Sequence, residues 1–278
     1  MFLDEPFLQS ILDHPDDDAP RLVYADWLEE RGETARAELI RLQCAAGDSQ
    51  REQDLLARHA ADWAGPAFRH VFGIAFRRGF VAEVTLEARL FLNIGEQLFA
   101  SAPVQLLRLI GARNVLCQLV RSPLLGRLRA LHLTGCQVGD DGVELLAECD
   151  YLKDLRTLRL GVNAVSDRGV ESLCSSRYLA NLNTLVLRGN LVGDLGARLL
   201  ASCERLPNLQ TLDLSQNLLG DVGAEALARS PFLTRLTRLD LADQIKNRSP
   251  ILRGVSYSIQ PNQQRALIDR FGLKPSDF

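Results

Sequence analysis

Apolar residues recur along the middle of the chain in repeats of constant length. Five equally spaced leucines open successive repeats: Leu128, Leu155, Leu182, Leu209 and Leu236. Two further leucines alternate with polar residues after each opening one, as Leu158 and Leu160 do, and this period of two predicts a short strand with one buried face. Apolar residues three apart follow later, as Val170 and Leu173 do, and predict an amphipathic helix. Each repeat is therefore predicted to form a strand, a turn, a helix and a return.

Two polar positions recur with the same period. Eight residues after the opening leucine stand Cys136, Asn163, Asn190, Asn217 and Gln244. Twelve residues after it stand Asp140, Asp167, Asp194 and Asp221, and glycine follows two residues later each time. We expect the buried amides to bond to turn backbone, with cysteine as a smaller, weaker donor. We expect each aspartate to be the N-cap of its own helix rather than a metal ligand or catalytic group, because it recurs in every repeat.

The phrase L-x-x-L-x-L-x-x-N/C-x-L is the pattern of leucine-rich repeats. Over about residues 80–243 the chain resembles the ribonuclease-inhibitor type, in which the longer units carry an α-helix on the convex side. The resemblance implies an α/β solenoid with a curved parallel sheet on the concave side and helices on the convex side. Stacking is required because one repeat alone leaves both of its flanks exposed. The repeats here all have the same length, so nothing specific to ribonuclease binding is carried over.

Residues 1–65 have a different pattern, which predicts four short helices and an N-terminal helical domain. The second of these helices begins after three aspartates with a proline in its first turn and ends near Gly32. Residues 16–32 and 38–43 resemble the bacterial repeat-companion domain, a small helical module that precedes repeats. That resemblance implies no catalytic residues and no defined biochemical role. Tyr24 and Trp27 are interpreted either as packing residues or as a recognition surface.

Further elements lie on either side of the regular repeats. Residues 72–86 predict a β-hairpin in which Gly79 takes a positive φ, and two degenerate repeats follow the hairpin turn. After Gln244 the chain predicts an irregular segment over 245–261, either a polar cap or a contact loop around Tyr257, and then a helix over 262–270. The predicted domains are 1–65 (helical), 66–103 (hairpin and first degenerate repeat), 104–243 (leucine-rich repeats) and 244–278 (irregular segment and capping helix).

Charge and cysteine content narrow the functional classes. The net charge of −3 argues against a general nucleic-acid or membrane binder. No apolar run reaches the length of a membrane span, and the first residues lack the features of a signal peptide, so a cytoplasmic location is expected. Cys149 and Cys203 share a repeat position but lie two repeats apart, too far to bridge. All six cysteines are expected to be reduced thiols.

The sequence carries no motif of a known catalytic or nucleotide-binding type. His132 and Cys136 lie close together, but two ligands are too few for a zinc site. We therefore expect no catalytic residues, no metal, no cofactor and no small-molecule substrate. The expected function is a non-enzymatic protein–protein interaction scaffold. The alternatives are a regulator that activates or inhibits a partner enzyme such as a GTPase, and a purely structural spacer.

The candidate partner-binding residues come from the strands. Side chains between the two strand leucines face the concave surface, one in each repeat. In chain order they are Arg108, His132, Arg159, Val186, Asp213 and Asp240, and Arg188 stands two residues beyond Val186 on the same face. The column changes from basic to acidic, so a partner with the opposite gradient is expected; the alternative is a row of solvated charges without a partner.

Overall fold

The computed structural model describes residues 5–45, 49–244 and 261–272. The chain divides into two compact bodies, an N-terminal body over Met1–Arg108 and a C-terminal body over Leu109–Phe278. The N-terminal body contains helices α1 (Glu5–Asp13), α2 (Ala19–Glu30), α3 (Thr34–Cys44), α4 (Ser49–Ala64) and α5 (Ala88–Ser101). Its strands are β1 (Gly73–Arg77) and β2 (Phe80–Glu87), and β3 (Leu106–Ile110) lies at the boundary. The four helices predicted within residues 1–65 are thus confirmed as elements.

The predicted hairpin is confirmed and has a tight turn. Strands β1 and β2 pair antiparallel around Arg78 and Gly79, which have φ angles of 51° and 83°. Positive φ at both central residues matches the right-handed twist of the strands. Gly79 also lies against helix α3, because a Cβ there would meet Ile40 Cγ1 at 2.2 Å. The glycine is therefore required for the turn and for the close approach.

Aromatic side chains form much of the interior of the N-terminal body. Tyr24 and Trp27 pack against the buried cluster around Ile11 and Leu28, which supports the packing interpretation of these two residues. The guanidinium of Arg36 lies 5.1 Å from the ring centre of Trp63 and 5.2 Å from that of Phe80. Its burial lowers the pKa of Arg36 to about 10, and the aromatic faces offset part of the cost of burying the charge.

The C-terminal body is built from the regular repeats. After the short helix α6 (Leu116–Leu119), strands and helices alternate as β4 (Ala130–His132), α7 (Gly139–Ala147), β5 (Thr157–Arg159), α8 (Asp167–Ser175), β6 (Thr184–Val186), α9 (Asp194–Ala201), β7 (Thr211–Asp213), α10 (Asp221–Ala228) and β8 (Arg238–Asp240). Each of strands β4–β7 pairs in parallel with the next, up to β8. The strand leucines and the recurring helix leucines are buried, the latter being Leu146, Leu173, Leu200 and Leu227. This is the predicted leucine-rich repeat solenoid, with the sheet on one side and the helices on the other.

The predicted ladder of buried amides is confirmed. Asn190 accepts hydrogen bonds at Oδ1 from the backbone N–H groups of Asn163 and Val165, at 2.9 and 3.0 Å. Its Nδ2 donates to the carbonyls of Leu160 and Leu187, at 2.9 and 2.7 Å. Each amide therefore satisfies the turn of the repeat before it. In the first repeat Cys136 replaces the amide and donates to the carbonyl of Leu109 at 3.1 Å.

The prediction that each aspartate caps its own helix is wrong by one repeat. Asp167 is the first residue of α8, and its Oδ1 accepts hydrogen bonds from the backbone N–H groups of Gly193 and Gly196, at 2.7 and 2.9 Å. Those two donors belong to the first turn of α9, in the next repeat. Asp194 bonds in the same way to Gly220 and Gly223. Asp140, Asp167 and Asp194 thus form a ladder in which each aspartate caps the helix of the next repeat.

This arrangement explains the glycine two residues after the aspartate in the second, third and fourth repeats, at Gly169, Gly196 and Gly223. A Cβ on Gly196 would lie 2.6 Å from Asp167 Oδ1 and 2.7 Å from Val192 Cγ1. A Cβ on Gly169 would meet Asp140 Oδ1 at 2.6 Å. The glycine therefore makes room for the carboxylate that reaches in from the preceding repeat.

A last helix closes the described part of the chain. Helix α11 (Pro261–Phe271) ends at Gly272, which has a φ of 63°, as predicted. Arg270 donates to the carbonyls of Ala228 and Ser230 at the end of α10. The predicted irregular segment around Tyr257 lies outside the described residues. Among the helices that are described, none has the length and apolar character of a membrane span.

Candidate functional site

The strands of the C-terminal body place the predicted contact residues in one column. Parallel pairing sets His132 opposite Arg159, Arg159 opposite Val186, Val186 opposite Asp213 and Asp213 opposite Asp240. Neighbouring strands lie about 4.8 Å apart, so consecutive side chains of the column are within reach of one ligand. Arg108 is exposed on β3 in the N-terminal body.

The predicted residues differ in how far they reach solvent. Arg159 and Arg188 are exposed, and Val186, Asp213 and Asp240 are half-buried. His132 is only 6% exposed, so it offers little surface to a partner. The alternation along the strand predicted that the side chain of His132 faces away from the buried leucines. It did not predict that neighbouring groups bury this side chain. The accessible part of the column in this body therefore starts at Arg159.

Hydrogen bonds fix part of the column in place. Asp213 Oδ1 accepts from the hydroxyl of Ser215 at 2.6 Å and from its backbone N–H at 3.0 Å. Asp240 Oδ1 accepts from the backbone N–H of Ala242 at 3.0 Å. Arg188 Nε donates to Gln216 Oε1 at 3.3 Å. The two carboxylates are thus oriented by local bonds before any partner arrives.

A second column, which the sequence reasoning missed, completes a groove on the sheet face. Thr157, Thr184, Thr211 and Arg238 pair across the strands two residues before the charged column. The groove has a volume of about 530 Å³ and is lined by Arg159, Thr184, Val186, Thr211, Leu212, Asp213, Thr237, Arg238, Leu239, Asp240 and Gly272. The period of two along a strand was the available signal, because residues two apart face the same way. We call this surface the sheet-face groove.

The charges of the sheet-face groove are less simply ordered than predicted. Arg159 makes its early end basic, and Asp213 and Asp240 make its late end acidic. Arg188 is exposed two residues beyond Val186 and lies outside the residues that line the groove. Arg238, which is exposed, adds a positive charge beside Asp240 at the late end. The groove therefore presents a basic end and a mixed end, joined by threonine hydroxyls and the side chain of Val186. These groups suit hydrogen bonding and ion pairing with a polypeptide.

A groove of about 670 Å³ lies between helices α7 and α8, lined by Glu144, Glu148, Arg168, Glu171, Arg177, Tyr178 and small residues. It is larger, but two neighbouring helices supply it, whereas four successive strands build the sheet-face groove. Over residues 5–45, 49–244 and 261–272 no group of three or more His, Cys, Asp or Glu side chains is placed to hold a metal ion.

Comparisons with known proteins agree with the fold. A family model described as "Leucine Rich repeat" matches residues 128–147, 151–174 and 205–228, all within the C-terminal body. A search of curated proteins finds no match.

Two solved structures from Listeria monocytogenes are similar to part of the chain. Internalin C2 (inlC2) has 27% sequence identity and a TM-score of 0.37, over 56% of this chain and 61% of that chain. Internalin F (inlF) has 19% identity and a TM-score of 0.29, over 54% of this chain and 51% of that chain. The match thus spans about three fifths of the internalin C2 structure and about half of the internalin F structure.

Proposed function

We propose that this protein is a non-enzymatic scaffold that binds another protein along the sheet-face groove. The observation that carries the proposal is the groove lined by side chains from four successive strands, beginning at Arg159. Arg188, which is exposed two residues beyond Val186, is proposed to contact the same partner. A repeat that served only as a spacer would need no graded charge on this face. Arg108, which is exposed on β3 of the N-terminal body, is proposed as a further contact residue.

The chemistry of the groove indicates the kind of partner. Exposed guanidinium groups favour carboxylates, which they bind in a bidentate way. The partner segment is therefore expected to be acidic where it meets Arg159 and Arg188. The groove presents no aromatic side chain, so a deep apolar anchor is not expected to dominate binding. Electrostatic attraction is expected to speed the encounter more than it prolongs the complex.

Replacing both Arg159 and Arg188 with glutamate is expected to weaken the complex more than about ten-fold, which is about 1.4 kcal/mol. The exposed side chains bind no core group, so the variant is expected to fold normally. Partners would be found by cross-linking mass spectrometry with the wild-type protein, and the dissociation constant measured by calorimetry. Raising the salt concentration is expected to weaken the wild-type complex, since exposed charges are screened within about 10 Å at 0.1 M.

A matched control carries the same change of charge on the helix side. Arg198 and Arg229 are both exposed there, and the ion pair of Arg229 with Glu225 lies at the surface, where it contributes little. Replacing these two arginines with glutamate is expected to leave the dissociation constant unchanged. Equal weakening by the two double variants would mean that net charge, and not the sheet-face groove, determines binding. An unchanged constant for the sheet-face variant would place the site elsewhere.

The proposal extends to the type of each domain, the location of the protein and a regulatory role. Helices α1–α4 are proposed to be a repeat-companion module, and the repeats to be of the ribonuclease-inhibitor type. A cytoplasmic location is proposed, in keeping with six cysteines that are all free thiols. Regulation of a partner enzyme such as a GTPase would appear as a change in turnover when the protein is added to the partner recovered by cross-linking.

A further inference from the structure

Just after the helix of each repeat stands a serine or cysteine whose side chain donates a hydrogen bond to a backbone carbonyl of the preceding repeat. Ser176 and Ser230 occupy this position, and their hydroxyls donate to the carbonyls of Ala147 and Ala201, each at 2.5 Å. Cys203 occupies the same position one repeat after Ser176, and its Sγ donates to the carbonyl of Cys174 at 3.7 Å. The side chain at this position thus lies against the residue that follows the last leucine of the preceding helix.

The residue whose carbonyl accepts this hydrogen bond is alanine in the neighbouring repeats, and it is cysteine only at position 174. An alanine brings no reactive group next to the donor side chain, but Cys174 brings a thiol. The sulfur of Cys203 therefore lies against Cys174, across the junction of the second and third repeats. Cys149, at the same repeat position as Cys203, donates instead to the carbonyl of Val120 at 3.2 Å.

We propose that Cys174 and Cys203 are a thiol modification site, at which a hydroperoxide forms a disulfide that joins the second repeat to the third. A disulfide requires the two cysteines to lie close together, and at this junction the sulfur of Cys203 lies 3.7 Å from the carbonyl oxygen of Cys174. The site is separate from the sheet-face groove and does not rest on the proposed binding function.

The chemistry balances with hydrogen peroxide as the oxidant. The Cys203 thiolate attacks one peroxide oxygen, the O–O bond breaks, and the hydroxide that leaves takes a proton to become water. Cys203 is then a sulfenic acid. The sulfur of Cys174 attacks the sulfur of Cys203, the S–S bond forms, and the S–O bond breaks. The departing hydroxide takes the Cys174 proton, so two thiols and one peroxide yield one disulfide and two waters.

The surroundings assign the first step to Cys203. The hydrogen bond from the Cys174 thiol lowers the pKa of Cys203, and backbone N–H groups of Arg205 and Leu206 act in the same direction. The same thiol contact, together with burial, raises the pKa of Cys174, so Cys174 retains its proton until the second step. Burial raises the pKa of Cys149, although Cys149 and Cys203 are about equally covered, at 5% and 6% exposed.

The test uses the full-length reduced protein and hydrogen peroxide. Mass spectrometry of the oxidised protein is expected to show the loss of two hydrogens and a peptide pair linked through Cys174 and Cys203. The variants Cys174→Ala and Cys203→Ser are expected to fold and to lose the linked pair, because alanine and serine occupy these positions in neighbouring repeats. The matched control Cys149→Ser is expected to keep it.

Alkylation gives a second readout that does not depend on oxidation. In the folded wild-type protein, iodoacetamide is expected to modify Cys203 about ten-fold faster than Cys149, because the thiolate is the reacting form. In Cys174→Ala this advantage is expected to fall. Sulfinic acid on Cys203 without a linked peptide would overturn the proposal, and so would linkage of Cys203 to another cysteine while Cys174 stays reduced. Equal alkylation rates for Cys203 and Cys149 would overturn the assigned order of steps.

Discussion

Replacing Asn190 with alanine is expected to lower the free energy of unfolding by about 1–3 kcal/mol. The side chain is 1% exposed and bonds to the backbone at Asn163, Val165, Leu160 and Leu187. Alanine would remove the partner of the backbone N–H groups of Asn163 and Val165 and of the carbonyl of Leu160. The carbonyl of Leu187 would keep its bond from Asn217. Leaving buried polar groups unsatisfied costs more than the net contribution of the hydrogen bonds themselves. Urea unfolding followed by circular dichroism would measure the change.

Two further substitutions sharpen this prediction. Asn190→Cys is expected to lose less stability than Asn190→Ala, because Cys136 fills the same position in the first repeat with one sulfur–carbonyl bond. Asn181→Ala removes one exposed bond to the carbonyl of Lys153 and is expected to have a small effect. Wild-type stability in Asn190→Ala would contradict the structural role of the amide ladder. Binding to a partner well below the melting temperature is expected to change little.

The substitution Gly196→Ala is expected to destabilise the protein by about 1–2 kcal/mol, although the glycine lies inside helix α9. Alanine in a helix normally gains about 0.5–1 kcal/mol over glycine. Here the added Cβ would meet Asp167 Oδ1 at 2.6 Å and Val192 Cγ1 at 2.7 Å, and overpacking of this kind costs about 1–3 kcal/mol. The overlap outweighs the helix propensity, and thermal or urea unfolding would show the sign.

A double-mutant cycle identifies the cause. Asp167→Ala removes two hydrogen bonds that cap the N-terminus of α9, so this substitution is destabilising by itself. It also removes the oxygen that the Cβ added by Gly196→Ala would meet. The double variant Asp167→Ala, Gly196→Ala is therefore expected to lose less stability than the sum of the single losses. Gly126→Ala is the control, since its Cβ would have no neighbour closer than 3.7 Å. Full additivity would rule out the carboxylate as the source of strain.

The sequence predicted the repeat elements well, because their causes lie within one repeat. Alternation at Leu158 and Leu160 predicts a strand, and the spacing of Val170 and Leu173 predicts a buried helix stripe; all four residues are fully buried. The direction of a bond between repeats was harder to predict. Asp167 could cap its own helix or the next one, and a strictly constant repeat length gives both arrangements the same sequence pattern.

The candidate site was predicted in part for a related reason. Strand register follows from equal repeat lengths, so the column from Arg159 to Asp240 was predicted in the right order. The exposure of a single position depends on what its own surroundings place over it, and one sequence does not contain that information for His132. Thr184 and Thr211 precede the first strand leucine of their repeats, so they lie outside the predicted column, which holds only the residues between the two strand leucines. The partner-binding role of the column stays a prediction.

The two ladders run in opposite directions along the chain. Asn190 serves the turn of the repeat before it, and Asp167 serves the helix of the repeat after it. In an internal repeat, the turn therefore bonds to the asparagine of the next repeat, and the helix start bonds to the aspartate of the previous repeat. The repeat supplies its own asparagine and aspartate to those two neighbours in the same way. A duplicated whole repeat would contain both the asparagine and the aspartate at the positions where the neighbouring repeats need them. Whole repeats can therefore be gained or lost during evolution without breaking either ladder. An insertion of any other length would break both ladders at once, and such lengths are expected to be rare between natural homologues.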